Sequence, residues 1–243
     1  AWGEGEECWL MWHGEIYGDP AGKKLWDQVD DIINRTYPRS NGDPVRVSAV
    51  GVDSGGHFTS EVYAYCRERR KKGVFALKGQ SQRNKPPIGK PSKVDINYKG
   101  QVLKNSAELF PVGVDTIKST LFGRLKHNEF GPGYIHFHNE AGQEYFKQLT
   151  AERQVVRYVK GFAIREWKKK QGDRNEALDV LVYSYAALNF LYMRYNRNTI
   201  FEQFKKAIVK DEVPKEEKSV ESDQNPLRRR RAMRRPQSFV TNW

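Results

Sequence analysis

Three carboxylates in this sequence stand where they could act together. Asp53 closes the run Val45-Arg46-Val47-Ser48-Ala49-Val50-Gly51-Val52 and is followed at once by Ser54-Gly55-Gly56, a tight turn. A buried strand ending this way puts its carboxylate at the carboxyl edge of a sheet, where α/β proteins keep their sites. Glu176 and Asp179 lie three apart at the start of the longest helical pattern, on one flank beside its apolar stripe, so both can face that edge. Singly, each has a plainer reading: Asp53 as cap of the next helix, the other two as first-turn acids that suit a helix dipole. Together they could hold divalent metal. Mg2+ or Mn2+ takes hard oxygen ligands and keeps several waters, so two or three carboxylates from different elements suffice to set two ions against a phosphodiester. One ion would generate the attacking hydroxide and the other would stabilise the leaving oxygen.

The elements that must carry these groups alternate. The first 17 residues read as two short strands joined through Gly3-Glu4-Gly5-Glu6, and Leu25, Val29, Ile32 and Ile33 give a helix near 22–36. The β-branched run 45–52 predicts a central strand. Thr59, Val62 and Cys66 start a helix, and Gly73-Val74-Phe75-Ala76-Leu77-Lys78 is the next strand. Strand, helix, strand at this spacing is a parallel unit, so the fold class is α/β with helices on both faces of a mixed sheet. Residues 79–104, with Pro86, Pro87 and Pro91, read as a loop or hairpin excursion. A short strand at 110–114, a helix at 116–126, short strands at 134–137 and within 153–167 around a helix at 141–151, and the helix at 175–194 complete the pattern. Beyond Pro214 no apolar period remains. The division is a folded domain at 1–209 and a disordered charged tail at 210–243.

Other residues invite a function less strongly. His57 after two glycines could approach a phosphate, but a surface histidine is the simpler reading. His136 and His138 alternate on one strand face with no third ligand nearby, which favours solvent exposure over metal. Tyr183, Tyr185, Tyr192 and Tyr195 are more simply core and rim aromatics than a base-stacking platform.

The chain of 243 residues, 38% hydrophobic, carries a formal net charge of +12. The arginines at 228–231, 234 and 235 supply +6 and residues 210–226 carry −3, which leaves +9 on residues 1–209. The folded part is therefore basic in itself, and a polyanion, nucleic acid first, is the leading partner class. The basic cluster 67–72 and the lysines at 85, 90, 93, 99 and 104 could track a DNA backbone, although solvated faces explain such runs too. Two cysteines without Cys-x-x-Cys spacing, no signal peptide and no apolar run of membrane-spanning length predict a reducing, cytosolic setting.

Four blocks then match one family in order: Val52-Asp53-Ser54-Gly55-Gly56; Gly73-Val74-Phe75-Ala76-Leu77-Lys78-Gly79; Val112-Gly113-Val114-Asp115-Thr116-Ile117-Lys118; and Arg174-Asn175-Glu176-Ala177-Leu178-Asp179 running on to Leu188. Over residues 1–195 the sequence resembles the endonuclease domain of lambda-type phage terminase large subunits. The resemblance implies a ribonuclease-H-like fold and a Mg2+- or Mn2+-dependent endonuclease that cuts concatemeric viral DNA during packaging. It gives Asp53, Glu176 and Asp179 the role of metal acids. Lys78 corresponds to a lysine that could hold a phosphate or the charge of the transition state, or equally be a solvated strand-end lysine, and Asp115 to a Gly-x-Asp-Thr block in which Asp115 and Thr116 could equally be a helix cap.

The resemblance further implies double-stranded viral DNA, the terminase small subunit and the portal of the procapsid as partners, the last through the tail, in the host cytoplasm. In the family a first catalytic acid lies on a strand before the Trp2-Gly3 pair, so the sequence is expected to be a fragment lacking that strand. It has no Gly-x-x-x-x-Gly-Lys-Ser/Thr loop for nucleotide hydrolysis. Two alternatives stay open: a non-catalytic DNA-binding fragment, or another ribonuclease-H-like polynucleotidyl transferase such as a transposase or resolvase.

Overall fold

A computed structural model describes residues 1–38, 44–80, 82–98 and 100–211. In chain order the elements are β1 (Cys8–Trp9), α1 (Lys23–Ile33), β2 (Thr36–Pro38), β3 (Pro44–Arg46), β4 (Val50–Asp53), α2 (Thr59–Glu68), β5 (Val74–Gln80), β6 (Ser92–Tyr98) and β7 (Gln101–Gly113). There follow α3 (Val114–Arg124), β8 (Ile135–His136), α4 (Gln143–Leu149), β9 (Glu152–Val159), β10 (Phe162–Lys169), α5 (Glu176–Tyr192) and α6 (Ile200–Asp211). The predicted tail begins just inside α6; from residue 212 on, it lies outside the described residues.

The main sheet has the order β4-β5-β7-β6, with β4, β5 and β7 parallel and β6 antiparallel to β7. Its two faces can be read along β5, where successive side chains point opposite ways. Val74 and Ala76 join Val62, Tyr63, Tyr65 and Cys66 of α2, with Trp26, Val29 and Ile33 of α1 packed behind. Phe75 and Leu77 face the other way, into the larger cluster with α3, α4, α5 and Cys8. The result is helices on both faces of a mixed α/β sheet, as the alternation predicts.

The expected strand at 45–52 is corrected in two ways. It splits into β3, which pairs with β2 in a separate hairpin, and β4, which alone joins the main sheet. Moreover, β4 is an edge of that sheet, not its centre. Gly73 shows why the break falls at Ser48-Ala49. It has φ +78, and a Cβ there would meet the Ser48 carbonyl oxygen at 2.7 Å, so the chain is pinned side-on before it enters the sheet. The 79–104 excursion proves to be the end of β5, a loop, and the β6–β7 hairpin, whose second strand runs 13 residues and absorbs the short strand expected at 110–114. Helix α6 was not legible in advance, although Ile200 is fully buried and Phe201 packs on the larger cluster.

The N-terminal segment is clamped to this body by a buried carboxylate. Glu6 accepts from Tyr185 of α5 at 2.7 Å and is paired with Arg124 of α3 and with Arg197 beyond α5. Beside it the Trp2 indole donates to Ser184 Oγ at 3.0 Å. Glu6 itself sits in the left-handed region at φ +59, a conformation that costs about 1–3 kcal/mol outside glycine and persists only where its surroundings hold it.

One glycine governs how closely α5 approaches β4. A Cβ on Gly51 would stand 2.4 Å from Leu77 Cδ1 and 3.7 Å from the Tyr183 carbonyl oxygen, and Leu77 has no exposed surface into which to retreat. Gly51→Ala is therefore expected to lower stability by about 1–3 kcal/mol through overpacking, seen as a lower midpoint in chemical denaturation. An unchanged midpoint would mean that Leu77 repacks freely.

Candidate active site

The alternation along β4 sends Val50 and Val52 toward α2 and leaves Gly51 and Asp53 on the α5 side. The turn that follows is fixed by short bonds. Asp53 Oδ1 accepts from the Gly55 amide at 3.0 Å, buried Ser54 Oγ donates to the Leu77 carbonyl at 2.8 Å, and Thr59 Oγ1 donates to the Ser54 carbonyl at 3.0 Å. Helix α2 opens only at Thr59, with Phe58 at its N-cap and no side-chain cap bond, so the capping alternative for Asp53 does not hold. Its carboxylate closes an Asx turn instead and stays exposed at the sheet edge.

Helix α5 reaches this edge through Tyr183. The Tyr183 hydroxyl, one turn beyond Asp179, faces Asp53, and Gly79 leaves room for it: a Cβ there would stand 3.3 Å from the Tyr183 oxygen. Burial, then the charge and hydrogen bonding of Asp53, and further off Asp179, push the Tyr183 phenol well above its ordinary pKa. The hydroxyl therefore stays protonated beside Asp53. Tyr183 was expected to be a core or rim aromatic, and its polar end is what the sequence concealed.

Asp179 is held from behind by a buried polar network. Lys118 of α3 extends its ammonium to Glu152 Oε1 at 2.6 Å and Asp179 Oδ1 at 3.5 Å. Asn175 Nδ2 donates to Glu152 Oε1 at 2.7 Å and to Asp179 Oδ2 at 3.0 Å, while Lys169 Nζ donates to Asn175 Oδ1 at 2.8 Å. Lys118 and Glu152 are both buried. Burial pushes the Asp179 carboxyl above its usual range, Lys118 opposes this, and Glu152 adds to the rise. A carboxylate so placed gains from a further positive charge on its open side. Lys118, Glu152 and Asn175 were not among the expected site residues. The one available signal was a lysine set among Val114, Ile117 and Leu121 on the core stripe of α3.

The other expected residues make contacts of their own. Glu176 is exposed and engages Arg174 Nε at 3.1 Å, whose Nη2 reaches Glu15 at 2.6 Å. Lys78 is exposed, and the alternation along β5 turns it toward the α2 side, away from Asp53. Asp115 is half-buried in the first turn of α3, but the N-cap is Gly113 without a side-chain bond, and Thr116 Oγ1 donates to the Lys85 carbonyl at 2.7 Å. Neither is a cap. His57 is exposed as expected.

His136 and His138 are not, and this corrects the solvent-exposed reading. His136 stacks on Trp9 at 5.0 Å with its Nε2 2.6 Å from Glu7, and His138 stacks on His13 at 5.5 Å. Among the described residues no three of His, Cys, Asp and Glu converge as a ready metal cage. Carboxylates with an open side, as Asp53 and Asp179 have, suit instead a hard cation that keeps water and phosphate oxygens in its shell.

Residues 1–199 match the model of a family described as terminase large subunit gpA, endonuclease domain. The chain belongs to this family. The terminase large subunit of Escherichia phage lambda is 34% identical over 203 residues, covering 80% of this chain and 30% of that protein. That of Enterobacteria phage P21 is 34% identical over 205 residues with the same coverage. The chain thus spans under a third of the length of these terminase relatives. No solved structure matches at a significant level. Within the terminase match fall Asp53, Tyr183, Asp179 and the whole Lys118 network. Among the described residues no helix is long and apolar enough to cross a membrane.

Proposed function

We propose that residues 1–209 form the DNA-cutting domain of a terminase large subunit, a ribonuclease-H-type, divalent-metal-dependent endonuclease acting on concatemeric viral DNA during packaging. The observation that carries this is the Tyr183 hydroxyl of α5, which bonds Asp53 at the sheet edge and feels the charge of Asp179, one turn earlier on the same helix. Family membership supports the nuclease class, and the mixed sheet with helices on both faces supports the fold type. Asp53 and Asp179, with Glu176 one turn earlier, would hold Mg2+ or Mn2+, two ions in the full site. Bound there, the metal supplies an activated water and charge stabilisation at the leaving oxygen.

The protein's own groups set the geometry. Tyr183 orients the Asp53 carboxylate, and Lys118 with Asn175 fixes the rotamer of Asp179 so that one face stays open. Lys78, exposed on β5, is proposed as an outer contact to a DNA phosphate, and Asp115, in the first turn of α3, as a second-rank acid of the site. For the intact protein we propose double-stranded viral DNA, the terminase small subunit and the portal as partners, in the host cytoplasm.

A plasmid-nicking assay on the intact parent protein tests the reading. Supercoiled DNA should be nicked with Mg2+ or Mn2+ and left whole with chelator, and Asp53→Asn should abolish nicking while the melting temperature is kept. Metal-independent DNA binding without nicking would identify the domain as a binding module. Strand transfer or junction cutting would point to the transposase or resolvase class.

A further inference from the structure

The β9–β10 hairpin does not belong to the main sheet. Among the described residues its strands pair only with each other, in register from Phe162↔Val159 at the turn to Lys169↔Glu152 at the foot. The turn itself is built from Lys160 at φ +50 and Gly161 at φ +81, the two left-handed residues that a tight hairpin asks for. The foot is tied down: Trp167 packs on Phe122 with ring centroids 4.6 Å apart, and Glu152 is locked to Lys118.

Its surface is unusual in two ways at once. Arg153, Arg157, Lys160, Arg165, Lys168 and Lys169 are all exposed. The only acids on the hairpin are already engaged, Glu152 with Lys118 and Glu166 with Lys168 at 3.0 Å. Toward the tip Val156, Tyr158 and Phe162 are 57%, 74% and 75% exposed. Apolar and aromatic groups left in water among cations that outnumber the acids of the hairpin fit a polyanion that also offers flat apolar surface. At the foot opens a cleft of about 610 Å³ whose wall includes Lys147, Arg153, Lys168, Lys170 and Arg174 against Glu144 and Asp173.

We propose that this ribbon and the cleft at its foot grip the DNA duplex. The ribbon lies in the major groove, which is wide enough for a two-stranded β-ribbon, and the cleft takes the adjoining phosphate backbone. The grip is wired to the cutting centre, because Lys169 at the end of β10 and Glu152 at the start of β9 both bond Asn175, which bonds Asp179. DNA seated on the ribbon thereby bears on the side chain that holds the candidate metal acid. This rests on the proposed nuclease reading for its choice of partner.

The test uses the intact parent protein and duplex DNA, with binding measured in chelator so that cutting plays no part. Arg157→Ala/Lys160→Ala/Arg165→Ala should flatten the slope of log affinity against log salt by about 3, one unit per lost phosphate contact. Tyr158→Ala/Phe162→Ala should weaken binding about tenfold at fixed salt with the slope unchanged. All five positions are exposed, so melting temperatures should hold.

Unchanged affinity and slope in both variants would overturn the proposal. So would unchanged DNA binding with packaging lost in the intact motor, which would make the ribbon a protein-docking element. If the parent nicks DNA but the ribbon variants bind normally, the ribbon proposal fails alone. If the variants lose affinity but no metal supports nicking by the parent, the nuclease reading fails and the ribbon stands.

Discussion

Asp179→Asn in the intact parent protein should cut DNA on the order of a thousandfold more slowly than wild type while folding normally. A metal-coordinating acid supports several kcal/mol of charge stabilisation in the transition state, and the amide removes the charge but keeps the shape. The side chain is only half-buried and remains able to accept from Asn175 Nδ2, so the helix start should not unravel. The neighbours should grade the loss. Asn175→Ala frees the Asp179 carboxylate to rotate and should slow cutting about 10–100-fold, the range seen when a residue supporting a metal ligand is removed. Lys118→Met strands the buried Glu152 carboxylate and should also cost about 3–5 kcal/mol of stability. Single-turnover nicking rates set beside denaturation midpoints would separate the two effects. If Asp179→Asn cuts at the wild-type rate, Asp179 holds no metal and its bonds to Asn175 and Lys118 are structural.

A loss of stability as large as that of Lys118→Met should come from the N-terminal clamp. Glu6→Ala leaves Arg124 and Tyr185 without their carboxylate inside the fold, and should destabilise by about 3–5 kcal/mol at neutral pH. Burial alone would raise the Glu6 pKa, but hydrogen bonds from Arg124 and Tyr185 and the charges of Arg124 and Arg197 outweigh it and hold the carboxyl below its usual value. A depressed folded-state pKa contributes stability above the unfolded value, near 4.3 for glutamate. That contribution is lost as pH falls through the folded value. Wild type should therefore lose stability on acidification from about pH 5 downward through this group. Glu6→Gln, less stable at neutral pH, should show a shallower acid limb. Melting temperatures across that range decide it, and parallel acid limbs for the two proteins would place the acid sensitivity elsewhere.

The parts of the site that could be read in advance were those written in adjacent residues. Asp53 before Ser54-Gly55-Gly56 and the acids of Asn175-Glu176-Ala177-Leu178-Asp179 declare a strand end and a helix start locally, and both were found there. Which acid of α5 turns toward Asp53 was not legible. It depends on the helix's rotation about its axis, fixed by the Gly51 contact and by Lys118, and these favour Asp179 over Glu176. The network of Lys118, Glu152 and Asn175 joins residues 23 to 57 positions apart, and no spacing rule connects them. The run 45–52 was misplaced for a similar reason. Its composition is that of one strand, but its partners change midway, from Tyr37 opposite Val45 to Val74 opposite Val50. Pairing is a property of the other chain segment as much as of this one.

The division of the core by the sheet also assigns the two thiols to different compartments. Cys8 belongs to the α5 side and Cys66 to the α2 side, and burial pushes their pKa values up to about 11 and about 12. Near neutral pH almost no thiolate exists at either, so alkylating reagents find nothing to attack while the layers stay closed. Each sulfur becomes nucleophilic only when its own layer opens. The protein thus carries a pair of built-in clocks, one per layer, whose relative labelling rates tell which side of the sheet breathes first.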